Sequence, residues 1–396
     1  MLRTIRADQK IAITRQAWGC AMLLGLVIGP AWAEPPVGAL ASRFEPIPVQ
    51  AIYPPLKAHG SADDALASGK LRHENFAMPA HASKPWRIAF LFPHLKDPYW
   101  LGCNYGVISE ARRLGVTAHI FVSDGYDDLV GQLRQMDEAI AAKYDAIVLS
   151  PLSLTANNAS IAKARAAGIP VFELANDSTS DDLTAKITTS LKGMGVYAME
   201  WVIGDAQKRG LKAINIALLP GPEGAGWVKG EVDGTRESAR TAPIKVRIVD
   251  VRYGDSDRIV QSQLAAQTIA QYGKKLDYLL GCTGCAPAAV LPVREAGLAG
   301  KVRIVAYDLT REIVSHVRAG TIAAAADTKG VSQARVAIGT AVNFLEGRTK
   351  SPPHTILIKL GLLERANLGS YPFDTSTAPE GFAPVLVETA TDLRPR

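Results

Sequence analysis

From Pro85 onward the chain alternates short apolar runs with longer amphipathic stretches. Trp86-Arg-Ile-Ala-Phe-Leu-Phe92 is almost unbroken in its apolarity, as a parallel strand covered on both faces requires. Residues 101–114 carry apolar positions at helical spacing and stop at Gly115, a residue suited to closing a helix. The same reading predicts strands over 117–122, 146–149, 170–174 and 186–189, with helices over 127–142, 156–167 and 194–209. The rhythm restarts at Ala213-Ile-Asn-Ile-Ala-Leu-Leu219 and continues with strands near 246–251, 277–280, 302–306 and 322–326. An amphipathic helix over 331–345 and a strand over 356–358 complete the pattern.

Repeated strand–helix units predict an α/β fold with parallel sheets covered by helices on both sides. So many strands suit two doubly wound parallel-sheet lobes with a ligand cleft between them better than one sheet. The first lobe is expected over 85–209, with 329–348 returning to it, and the second over 210–328 with 349–385. Residues 34–84, rich in Pro and Ala, read as an irregular N-terminal arm, and 386–396 as a tail. In this architecture a ligand is expected at the carboxyl ends of the strands, between the lobes.

Residues 1–33 have the make-up of a cleaved secretory signal. Arg3, Arg6, Lys10 and Arg15 precede a mostly apolar stretch over 17–28, too short to span a membrane, and Ala31-Trp-Ala33 supplies small residues for cleavage. An uncleaved anchor is the alternative. The segment holds four of the 44 basic residues and one of the 38 acidic ones, so the remainder keeps a basic excess of only three. No basic stripe follows, which argues against a nucleic-acid partner. No later apolar run is long enough to cross a membrane, so the mature chain is expected to be exported and not membrane-spanning.

Export sets the context for the cysteines, because thiols meet an oxidising compartment there. Cys282 and Cys285 have C-x-x-C spacing, which fits a local disulfide shaping a strand-to-helix loop, or a redox centre. The N-terminal βα context of a thioredoxin-type site is absent. Histidines do not fall in metal-binding pairs, and no catalytic constellation or cofactor motif stands out. Gly221-Pro-Glu-Gly-Ala-Gly226 lacks the order of a phosphate-binding loop and reads as a tight turn.

Candidate contacts come from the strand-end loops. Tyr99, Trp100 and Tyr126 could form a partial aromatic cage whose ring faces attract an amine cation, or could simply pack on the following helices. Trp227 could add a ring from the second lobe. Asp97 and Asp308 each follow a strand and could neutralise a cation, or cap a helix. Asp177 and Lys329 are weaker candidates of the same kind.

Ala82-Ser-Lys-Pro-Trp86, His94-Leu-Lys-Asp-Pro-Tyr-Trp100 and Asn104-Tyr-Gly106 resemble the corresponding blocks of the TorT family, the periplasmic trimethylamine N-oxide-binding proteins of a sensory system. Tyr53-Pro-Pro55 upstream resembles the family's N-terminal arm. Asn215-Ile-Ala-Leu-Leu219 and Gly221-Pro222 extend the resemblance into the second half, where it is shared in outline with many sugar-binding proteins. It implies a type I periplasmic binding protein with no catalysis and no cofactor. It also implies a trimethylamine N-oxide-like ligand between the lobes and the periplasmic sensor domain of a TorS-like histidine kinase as partner. Tyr99, Trp100 and Tyr126 fall on the family's aromatic ligand box. Two positions depart from it. An ungapped alignment sets residues 191–193 where the family has a cleft tryptophan, and Asp308 near a second-lobe tyrosine. A carboxylate there suits a more hydrogen-bonding or more fully cationic ligand. The alternative role is the solute-binding subunit of an ABC permease for a sugar or small polar or cationic solute, since one fold serves both.

Overall fold

Pairing of the strands divides them between two sheets. In a computed structural model, which describes residues 47–54 and 62–390, the first stretch runs β1 (Ile47–Tyr53), α1 (Ala62–Ser68), β2 (Lys70–Phe76), β3 (Arg87–Phe92), α2 (Pro98–Leu114) and β4 (Thr117–Val122). It continues through α3 (Leu129–Ala141), β5 (Ala146–Leu149), α4 (Asn158–Ala166), β6 (Val171–Leu174) and β7 (Ala185–Thr188). The middle comprises α5 (Leu191–Lys208), β8 (Ala213–Gly221), α6 (Gly226–Thr241), β9 (Lys245–Tyr253), α7 (Arg258–Tyr272) and β10 (Tyr278–Gly281). Then come α8 (Cys285–Glu295), β11 (Arg303–Ala306), α9 (Arg311–Ala319), β12 (Ala324–Asp327), α10 (Gly330–Leu345), β13 (Thr355–Ile358), β14 (Gly361–Glu364) and β15 (Val387–Glu388).

The first sheet has the order β15-β4-β3-β5-β6-β7-β13-β1-β2, and the second β14-β12-β11-β10-β8-β9. Strands β3 to β7 with β13, and β8 to β12, are parallel; β1, β2, β14 and β15 are antiparallel additions. Alternate residues of the central strands feed opposite layers. Phe90 and Val148 join a core with Ala334, Ala337 and Ile338 of α10, whereas Ala89 and Leu149 join one with Met136, Ala139 and Ile161. In the second sheet Leu219 and Ala306 meet Ala286 and Ile313, whereas Leu218 and Val305 meet Ala198, Val202 and Val232. Helices on both faces of each sheet make two doubly wound lobes.

Three boundaries differ from the sequence reading. Helix α5, assigned to the first lobe with a border at residue 209, packs Ala198, Met199 and Val202 on the second sheet. The first crossing therefore falls at 189–190, because the helix's apolar stripe matches that sheet. Strand β13, assigned to the second lobe within 349–385, pairs with β7 and buries Ile356 and Ile358 in the first core. The arm is not irregular throughout: β1 pairs with β13 and β2 with β1, and Ile47 and Val49 enter the first core. Pro48, which lacks an N–H, disguises β1 in the sequence. Within 386–396, β15 pairs with β4. The expected signal at 1–33 lies outside the described residues.

The chain crosses between lobes at 189–190, 328–329 and 359–360, and a fourth time between β14 in the second sheet and β15 in the first. Thr189 donates its hydroxyl to the Ile358 carbonyl at 2.9 Å, tying the first crossing to the third. Lys329, at the second, has a left-handed φ of 57°, a conformation that the surrounding structure must hold in place. Among the described residues no helix is long and apolar enough to cross a membrane.

Candidate functional site

Each sheet reverses its winding beside one strand, β3 in the first lobe and β8 in the second, and the cleft lies at the carboxyl ends around these points. Asp97 caps α2: its carboxylate accepts from the Trp100 N–H at 3.0 Å, and Pro98 opens the helix where a missing N–H costs nothing. The cap fixes the next residues. The Tyr99 and Trp100 rings meet edge to face at 5.2 Å, and Trp100 packs on Phe92 at 5.3 Å. Burial pushes the Asp97 carboxyl up against the opposing pull of His94, whose Nε2 lies 3.8 Å away. Tyr126 comes from the β4–α3 loop; Asn176 holds its place beside it by donating to the Pro151 carbonyl at 3.0 Å.

Trp227 supplies the facing ring from the start of α6. Gly221, at φ +115°, ends β8 in a conformation that favours glycine, and a Cβ there would lie 2.6 Å from the indole. Across the cleft the Tyr126 and Trp227 rings stand 6.4 Å apart, tilted by 53°. One helical turn beyond Trp227, Glu231 is carried into the interior by the close approach of α5 and α6. A Cβ on Gly195 would lie 2.0 Å from the Glu231 carbonyl, and one on Gly234 equally close to the Lys192 carbonyl. Glu231 Oε2 is buried without a hydrogen-bond partner, and burial, reinforced by Asp308, pushes its acid well up.

Asp308, at the end of β11, accepts from the Leu309 N–H at 2.8 Å, the Thr328 N–H at 2.9 Å and the Thr328 hydroxyl at 2.8 Å. It caps neither neighbouring helix; Thr310 caps α9. Burial, with Asp327 behind it, pushes the Asp308 carboxyl up to about 7. The cleft encloses about 70 Å³, room for roughly five waters or a ligand of similar heavy-atom count.

Of the residues singled out in the sequence, Asp97, Tyr99, Trp100, Tyr126, Trp227 and Asp308 line this one cleft. Asp177 does not. Its carboxylate pairs with Lys186 at 2.7 Å and accepts from the Ala62 N–H at 2.6 Å, so it is consumed in holding α1 and β7. Lys329 lies outside the cleft, in a hollow beside Ile47. Trp100, with 1% exposure, belongs to the first core as much as to the cleft wall. Cys282 and Cys285 are disulfide-bonded and buried at the start of α8, and the bond shapes the loop that brings Thr283 to the cleft. The sequence reading missed Glu231, Asn176 and Gln333. Glu231 had one signal, the glycines at 230 and 234 that mark a tightly packed helix face.

Two wound lobes, repeated crossings between them and a cleft at both switch points define a periplasmic binding protein of type I. Comparisons agree. The model of the periplasmic binding protein domain matches residues 88–349. The periplasmic protein TorT of Escherichia coli K12 is 30% identical over 82% of this chain and 92% of its own length. A solved ABC transporter solute-binding protein from Bradyrhizobium sp. BTAi1, with bound bis-tris, is 31% identical, with a TM-score of 0.75 over 87% of this chain and 98% of that one. TorT in complex with the TorS sensor domain shares the fold at a TM-score of 0.68 and 24% identity, over 76% of this chain and 99% of that one. The chain belongs to the TorT family of periplasmic binding proteins.

Proposed function

We propose that the chain is a periplasmic sensor protein that binds a small methylated amine or its N-oxide between its lobes and reports this to the periplasmic domain of a membrane histidine kinase. The observation that carries the reading is the Tyr126–Trp227 pair across the cleft, with the half-buried carboxyl of Asp97 and the buried ones of Glu231 and Asp308 around it. Ring faces attract the partial positive charge of N-methyl groups, and carboxyls complement the nitrogen. Two relatives support it: TorT, solved with the TorS sensor domain in the presence of trimethylamine N-oxide, and the Bradyrhizobium protein holding bis-tris, itself a tertiary amine. Binding that favours closure about the crossings changes the surface offered to a partner, as linkage requires.

The name of the Bradyrhizobium relative favours a second reading, delivery of a solute to an ABC permease. One experiment separates them. The purified protein is mixed with the periplasmic sensor domain of a TorS-like histidine kinase, with and without trimethylamine or its N-oxide, and association is followed by ultracentrifugation. Ligand-dependent association supports the sensor. Binding of the amine with no change in association points to transport, and absence of amine binding removes both versions of the ligand.

A further inference from the structure

We propose that the floor of the cleft selects an amine that also carries a hydroxyl group, with Glu231 taking the ammonium N–H and Trp227 and Gln333 sharing the hydroxyl. This narrows, and rests on, the amine reading above. Three buried polar atoms on cleft-lining residues have no hydrogen-bond partner: Glu231 Oε2, Gln333 Oε1 and Trp227 Nε1. Their neighbours are engaged. Asp308 accepts three hydrogen bonds, Asp97 accepts from Trp100, and the Gln333 amide itself donates to the Thr328 carbonyl at 2.7 Å.

Buried polar groups are almost always paired, because leaving one without a partner forfeits its hydration for nothing in return. Three orphans on one cleft specify what would satisfy them. With Glu231 ionised they are two acceptors and one donor. An ammonium N–H supplies one donor, and a hydroxyl supplies the other donor together with the acceptor for the indole. Trimethylamine N-oxide offers an acceptor and no donor, so Gln333 would stay unpaired. A quaternary amine lacks the N–H. A sugar supplies hydroxyls but no cation for a wall that already holds Asp97 and Asp308. Sites built to hydrogen-bond a ligand group discriminate strongly against analogues that lack it.

Protonation gives an independent readout. Burial and Asp308 hold Glu231 toward its neutral form, and Tyr307 is the other titratable group near it; Lys192 on the adjoining helix is paired with Glu237 instead. An arriving ammonium therefore displaces a proton. A neutral Glu231 acid would instead suit an N-oxide oxygen, and that ligand would bind without proton release.

The test is calorimetry near neutral pH, in two buffers of different ionisation heat, with trimethylamine, N,N-dimethylethanolamine, choline and trimethylamine N-oxide. Dimethylethanolamine is expected to bind at least about tenfold more tightly than trimethylamine and to release up to about one proton. Glu231→Gln, with thermal melting to confirm folding, is expected to weaken dimethylethanolamine by about tenfold or more and to abolish the release. Gln333→Met is expected to shrink the hydroxyl's advantage to less than about threefold. An N-oxide or trimethylamine that binds as tightly as dimethylethanolamine overturns this inference and leaves the amine reading standing. Failure of all four to bind overturns both.

Discussion

Tyr126 and Trp227 come from different lobes, yet their ring centroids lie 6.4 Å apart. A contact of that kind exists only while the lobes are close, so it reports closure as well as forming the site. Trp227 is half-buried and its indole N–H has no partner. Trp227→Ala is therefore expected to weaken amine binding by about tenfold, the equivalent of one desolvated cation–π contact, with little change in the unfolding midpoint. Titration calorimetry beside a thermal melt checks both halves.

Trp100 should behave differently, although it sits in the same cleft wall. It is buried against Phe92 in the first core. Trp100→Ala is expected to lower unfolding free energy by about 3–5 kcal/mol, as for other large-to-small core changes. Urea denaturation of the Trp100 and Trp227 variants side by side separates a core residue from a ligand contact. Equal losses of stability would show that the two rings are not divided in this way.

That division was not visible in the sequence. The strands of both lobes were, because Phe90, Val148 and Leu218 lie in short apolar runs that only doubly covered strands need. Helix α5 was visible as a helix, but its periodicity carries no information about which sheet it covers. Glu231 went unnoticed because it sits between Lys229 and Asp233 and resembles a solvent-facing acid. Its burial follows from Gly195, 36 positions upstream, touching it across a helix pair. Loop placement alone made Asp177 look like a ligand contact; its partner Lys186 lies in the next strand.

The state of Asp308 makes a prediction about pH. Its folded-state acid is pushed up to about 7 by burial and by Asp327, whereas an unfolded aspartate titrates near about 4. A raised carboxyl contributes its full stability below the unfolded value and loses it as pH rises through the folded one. The unliganded protein is thus expected to lose stability between about pH 4 and 7, and Asp308→Asn to lose less across that window. The measurement is the difference in urea-unfolding free energy between wild type and variant at several pH values. Parallel curves would refute the assignment.

The Asp177–Lys186 pair separates fold from function most sharply. Lys186 lies in β7 with its ammonium 2.7 Å from Asp177 and 3.6 Å from Glu173, and all three side chains are buried. Removing Asp177 takes away the nearer counter-charge and leaves Lys186 only the more distant Glu173, so the cost is expected to be part of the about 3–5 kcal/mol that breaking a buried pair outright carries. Asp177 also accepts from the Ala62 N–H, so the loss extends to the docking of α1. Asp177→Asn is therefore expected to lower the unfolding midpoint markedly. Because its carboxylate faces Lys186 rather than the cleft, affinity for trimethylamine should stay within about threefold of wild type below the transition, less than the loss of one hydrogen bond to a charged group. Calorimetry at low temperature alongside a thermal melt decides the matter: a fall in affinity with an unchanged midpoint would return Asp177 to the binding site.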